Sequence, residues 1–233
     1  MPLEQRFEAY SLEHFAPLVL AVVIGWLWIG FAKTLPRAQR SVLGFYPSLI
    51  LPGLILLDVI YGIKTGSFDI ALDLPLHMCR IVTFLVPIML LYQHRNLFGV
   101  LYFWVLAGTT QAVLTPDILT SFPSYEYIRY WVLHTGLILT IAYSVAVFDF
   151  RPTWKDLWKA VIAAQIYLLV TLPINWLLSS NYGYTMEKPP VASIADYLGP
   201  WPWYIVSGEL IMIVLFLILY LPFGIKWLRK YST

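Results

Sequence analysis

One cysteine, Cys79, and four histidines, His14, His77, His94 and His134, are the groups of this chain best suited to act as nucleophile or as proton acceptor near neutral pH. A thiol becomes a strong nucleophile when a neighbouring base takes its proton, and neutral imidazole suits that task. Such a pair would do nucleophilic chemistry. Around it stand few other strongly polar side chains: Asp58, Arg80, Gln111, Asn175 and Glu209, each inside a long apolar stretch. Groups of this kind are costly in a membrane and ordinarily face protein or a cavity. His77 lies two residues from Cys79, so on a helix the two point in different directions. A single cysteine excludes an internal disulfide and any Cys-rich zinc or iron–sulfur centre. The histidines show no H-x-x-x-H spacing; a site from His77, His134 and Glu209 is the one metal arrangement conceivable, and the sequence points to no metal and no cofactor.

The elements that must position these groups follow from composition. Of 233 residues, 60% are hydrophobic and 12% charged, with a mean hydropathy of +0.73. Soluble domains carry about 25% charged residues, so the chain has too little polar surface to stand in water. A spanning helix needs about 20 mostly apolar residues. Seven runs meet the pattern: His14–Ala32, Val42–Ile63, Leu76–Tyr92, Leu97–Thr115, Tyr127–Phe148, Leu157–Leu178 and Trp203–Phe223. The expectation is an all-α integral membrane protein, a single seven-helix transmembrane domain over residues 1–233. A net charge of +2 gives no reason to expect a nucleic-acid partner. No internal repeat supports an inverted-repeat transporter, and no Gly-rich phosphate loop or G-x-S-x-G string is present.

Basic residues near helix ends set orientation. Lys33, Arg37, Arg40, Arg95, Arg151, Lys155, Lys159, Lys226, Arg229 and Lys230 fall on one side, against Arg6, Lys64, Arg129 and Lys188 on the other. This predicts an amino terminus outside and a carboxyl terminus in the cytoplasm. Glu4, Glu8 and Glu13 are the wrong charge for a signal-peptide n-region, so the first helix is expected to be retained. Trp154, Trp158 and Trp227 on one side, and Trp201, Trp203 and Tyr204 on the other, read as interfacial belts. Pro52, Pro87 and Pro173 are expected to kink their helices.

With that topology, His77, Cys79, Arg80, His134, Glu209, Asp58, Gln111 and Asn175 all fall in the outer half of the bundle. Each has a plain alternative. Asp58 or Glu209 could neutralise Arg80, Gln111 and Asn175 could serve as interhelical glue, and Cys79 could be a small buried hydrophobe. The shared depth predicts instead that Asp58, Cys79, Gln111, His134, Asn175 and Glu209 line one cavity. It also predicts an Arg80–carboxylate pair, with Glu209 or Asp58. The long connection Ser179–Pro202, with Asn181, Tyr182, Lys188, Ser193, Asp196 and Trp201, is expected to pack over the mouth as a lid.

Several strings resemble the YwaF family of bacterial integral membrane proteins. They are Leu74-Pro75-Leu76-His77-Met78-Cys79, the run Trp104–Asp117 ending in Leu114-Thr115-Pro116-Asp117, Phe122–Glu126, His134-Thr135-Gly136, Asn175, Asn181-Tyr182, Lys188-Pro189 and Gly199-Pro200-Trp201-Pro202-Trp203-Tyr204. That family is similar to the animal transmembrane-protein-164 acyltransferases, which remodel ether phospholipids in the endoplasmic reticulum. The resemblance implies a Cys nucleophile and a His base, at Cys79 and His134. It implies a membrane phospholipid or lysophospholipid as partner and a bacterial cytoplasmic membrane as location.

The leading expectation is therefore an acyltransferase or lipid-ester hydrolase acting on phospholipid acyl chains. Asp58, His77, Arg80, Gln111, Asn175, Asn181, Tyr182 and Glu209 are the substrate-binding candidates. The competing readings are a non-enzymatic protein that binds or transports a small molecule or lipid, and a structural or signalling helix bundle.

Overall fold

The computed structural model describes residues 6–190 and 193–225. Glu4, weighed above against a signal peptide, and Lys226, Trp227, Arg229 and Lys230, used for orientation and belts, lie outside the described residues. Helix is the regular structure throughout, with one isolated bridge, Arg6 to Thr120.

The helices are α1 (Leu12–Thr34), α2 (Arg37–Ser48), α3 (Ile50–Thr65), α4 (Met78–Leu91), α5 (Arg95–Leu114), α6 (Tyr125–Val147), α7 (Trp154–Leu178) and α8 (Trp203–Gly224). Each apolar run of the sequence falls on helix. Among the described residues, six stretches are long and apolar enough to cross a membrane: α1, α2 with α3, α5, α6, α7 and α8. The third run is shorter than expected. Its helix α4 has 14 residues, about 21 Å at 1.5 Å per residue, and the chain before it is a loop.

The second run breaks between Ser48 and Ile50. Pro47 and Pro52 flank the break, and each removes a backbone donor from the helical ladder. The carbonyl that Pro47 leaves free, that of Leu43, accepts the Trp28 indole N–H at 3.3 Å. Helix α5 continues through a π turn at Val105–Thr109. Such a turn inserts one extra residue and re-aims the side chains beyond it, often at functional sites.

Packing puts α4 and α6 at the centre. Helix α2 lies against α4, α1 against α6, α5 against α7, and α8 against α7 and the π turn. Val86, Met89, Phe98, Leu101, Phe103, Leu137 and Ile141 form the fully buried core. At one end of the bundle, Thr153 and Asp156 close a reciprocal cap on α7, and Asp156 pairs with Arg95 at 3.2 Å. His94 caps α5 there, accepting from Leu97 N–H at 3.2 Å. The opposite end holds the cavity.

Candidate functional site

A cavity of about 440 Å³ lies where α4 begins, α5 ends and α6 begins. From α4 and the residue before it come His77, Cys79, Arg80 and Thr83. From α5 come Gly108 in the π turn and Gln111 and Ala112 just past it, with Thr115 capping the end of the helix. Helix α6 presents Glu126, Arg129, Tyr130, Leu133 and His134, the i, i+3/i+4, i+7/i+8 stripe of one helix face. Ser124 sets the phase of that stripe by capping α6 through Tyr127 N–H at 3.2 Å. Asp117 closes one side, and Tyr184, Pro189, Ser193, Ile194 and Ala195 of the long connection close another.

Five of the sequence candidates therefore meet at one space: His77, Cys79, Arg80, Gln111 and His134. His134 Nδ1 lies 2.8 Å from the carbonyl oxygen of Tyr130, one turn back on α6. A carbonyl only accepts, so Nδ1 carries the proton and the Nε2 lone pair is left available. The Tyr130 ring lies against the imidazole, centroids 4.1 Å apart, and its hydroxyl donates to Ala112 O at 2.6 Å. The imidazole is thus held by Tyr130, which α5 in turn fixes through Ala112. Cys79 is a free thiol, partly buried, in the first turn of α4.

The other candidates stand elsewhere, each satisfied by a nearer partner. Asp58 accepts from Arg129 at 2.8 Å and from the Tyr125 hydroxyl at 2.6 Å, so it orients a cavity residue without lining the cavity. Glu209 accepts from Gln165 between α8 and α7. The expected Arg80–carboxylate pair does not form: Arg80 donates to the carbonyls of Leu72 and Asp73, at 3.4 and 3.3 Å. Asp58 and Glu209 are instead engaged by Arg129 and Gln165.

Asn175 is a buried clamp. Its amide donates to Tyr182 O and Thr185 Oγ1 at 2.8 and 2.7 Å, and its oxygen accepts from Ser180 Oγ and Tyr182 N–H, both at 2.8 Å. Tyr182, fully buried, reaches from that clamp to donate to Ile70 O at 2.5 Å. The Asn181 side chain bonds to Met186 and Glu187. These three shape the loops around the cavity rather than its wall. Tyr204, expected at an interface, is buried and donates to Tyr184 O at 2.7 Å, whereas Trp154, Trp158, Trp201 and Trp203 are exposed.

Residues the sequence reading passed over complete the site: Asp117, Glu126, Arg129, Tyr130 and Tyr184. Tyr184 donates to Asp117 Oδ2 at 2.8 Å, and burial, then the Asp117 charge, pushes its phenol above the ordinary value. Gly183 before it has φ +69°, and its N–H points at His77 Nδ1, 3.4 Å away. A Cβ at Gly183 would come within 2.5 Å of the Tyr167 hydroxyl, so only glycine fits this turn. Among the described residues no group of three or more His, Cys, Asp or Glu side chains is disposed to hold a metal ion.

The sequence model of the TMEM164 family matches residues 9–220. No curated protein and no solved structure matches the chain.

Proposed function

The chain belongs to the TMEM164 family, and from that premise we propose that it is a membrane-embedded acyltransferase, or lipid-ester hydrolase, acting on phospholipid acyl chains. Cys79 is the nucleophile and His134 the base. The observation that carries the reading is that both open onto one cavity, with the His134 Nδ1 proton committed to Tyr130 O.

The reaction then runs in two halves. His134 Nε2 takes the Cys79 proton, and the thiolate attacks an acyl carbonyl of the phospholipid. The Gln111 amide supplies a donor for the developing oxyanion, and His77 and Arg80 contact the rest of the substrate. The tetrahedral adduct collapses, the glycerol oxygen leaves with the imidazolium proton, and the acyl group remains on Sγ as a thioester. An acceptor hydroxyl, from a lysophospholipid or from water, gives its proton to His134 and attacks the thioester. Ester or free acid departs, and the proton returns to the thiol. Tyr130 keeps the imidazole aligned, and Asp117 offers a negative charge near the transient imidazolium.

The same reading takes the seven apolar helices as one seven-helix domain in a bacterial cytoplasmic membrane, with the amino terminus outside. The basic residues near helix ends and the strings resembling the YwaF family support it. Purified protein given phosphatidylcholine labelled in its acyl chain, with added lysophospholipid, is expected to move label to the acceptor or release it as free acid. Undiminished turnover in Cys79→Ala overturns the proposal.

A further inference from the structure

Two guanidinium groups, from different helices, border the cavity that holds Cys79. Arg80 follows Cys79 in α4, and Arg129 stands on α6. Arg80 makes no ion pair among the described residues; one of its nitrogens serves the two long bonds to Leu72 O and Asp73 O, leaving the other donors of its guanidinium unused. Asp58 and Asp73 lie near it without making contact, and a guanidinium without a contacting counter-ion at the rim of an apolar bundle is costly, so an anion in the cavity would relieve it. Arg129 is gripped from behind by Asp58, and its Nε is buried with no partner. Both guanidiniums border the one cavity, and an anion between them would offset the repulsion of like charges. The carboxylates on the same wall are already engaged: Asp117 accepts from Tyr184 at 2.8 Å and Glu126 from Thr120 at 2.6 Å. Hydroxyls serve the carboxylates, while the guanidiniums keep donors to spare.

We propose that Arg80 and Arg129 form a phosphate subsite, which holds the phosphodiester of a glycerophospholipid while its acyl ester lies at the Cys79 thiol. Guanidinium forks match phosphate oxygens better than any other side chain. The subsite rests on the acyl-transfer reading for its choice of ligand. It makes the enzyme selective for esters that carry a phosphate a few bonds from the carbonyl, and Asp58 becomes a positioning residue for Arg129.

Binding can be separated from turnover by working in Cys79→Ala. The probes are 1-oleoyl-lysophosphatidylcholine and 1-monooleoylglycerol, which share a chain and differ in the phosphate headgroup. Native mass spectrometry of the detergent-solubilised protein reads the Kd of each. Adding Arg80→Gln or Arg129→Gln is expected to weaken the lysophospholipid about tenfold or more, leaving monooleoylglycerol within about twofold. Unchanged lysophospholipid binding, or equal loss of both lipids, overturns the subsite; should Arg80→Gln not fold, Arg129→Gln decides. Two competitors complete the test. Displacement by oleate that depends on Arg80 would make this a carboxylate site, and equal competition by glycerophosphocholine or inorganic phosphate would assign it to a soluble phosphate. Either result overturns the lipid phosphodiester. A wild-type protein that shows the headgroup preference but never acylates Cys79 keeps the subsite and removes the enzyme reading. Acylation of Cys79 without any headgroup preference does the reverse.

Discussion

His134 gives its Nδ1 proton to the carbonyl oxygen of Tyr130, 2.8 Å away on the same helix. One hydrogen bond thereby selects the tautomer whose Nε2 can take a proton, and the Tyr130 ring at 4.1 Å keeps the imidazole from turning. A positioned general base contributes about 10²–10⁴-fold. His134→Gln is therefore expected to slow acylation of Cys79 at least about a hundredfold while leaving the fold intact. Quenched time courses of wild type and variant check this; equal rates would remove His134 from the mechanism.

The Asp58–Arg129 pair ties α3 to α6 beside the cavity. Both side chains are only partly covered, at 28% and 23% exposure, so the pair is worth less than a fully buried one. Asp58→Asn is expected to cost about 1.5 kcal/mol, the low end for hydrogen bonds to charged groups. In a double-mutant cycle with Arg129→Gln the two losses should fall short of additive. Thermal unfolding in detergent measures both, and strict additivity would mean that the pair contributes nothing.

Much of the fold was legible because apolar length alone marks helices in such a chain, and all seven runs carry helix. The exceptions have local causes. Prolines at 47 and 52 flank the break in the second run, and the loop ahead of Met78 shortens the third. The site was legible in depth but not in azimuth. Height along the bundle grouped Cys79, Gln111 and His134 with His77 and Arg80, and all five border the cavity. It could not tell which face of its helix a residue presents, since helices apolar all round carry no face signal. Asp58, Asn175 and Glu209 were misassigned to the cavity for that reason. Two signals for missed residues were present: Tyr130 precedes His134 by one helical turn, and Asp117 ends the string that contains the π turn.

Asn175 uses every donor and acceptor of its amide on residues 180–185. Asn175→Ala leaves those partners unsatisfied, a loss of about 2–3 kcal/mol felt locally. The Tyr182 amide, which donates to Asn175 Oδ1, should then exchange its hydrogen about 30- to 150-fold faster. Exchange mass spectrometry across the connection reports it, with the α5–α7 core as the unchanged reference. Unaltered protection at Tyr182 would show that the loop does not depend on this clamp.

Tyr184 links alkaline stability to the mouth of the cavity. Its phenol is raised in the fold, first by burial and then by Asp117. A folded-state value above the unfolded one near 10 means that the contribution is complete below pH 10 and is lost as pH rises beyond it. Wild type should lose stability above pH 10 more steeply than Tyr184→Phe, and the two should run parallel at lower pH. Chemical unfolding across pH 8–11 gives the comparison, and identical alkaline slopes would contradict it.

Intact-mass spectrometry of the purified protein after incubation with phosphatidylcholine tests the central claim most directly. Wild type is expected to gain the mass of one fatty acid less one water, mapped to Cys79, removed by hydroxylamine and by added lysophospholipid. Cys79→Ala should gain nothing. Turnover of phospholipid by a wild-type protein that never carries acyl on Cys79, even when quenched within its first catalytic cycle, would contradict the thioester account.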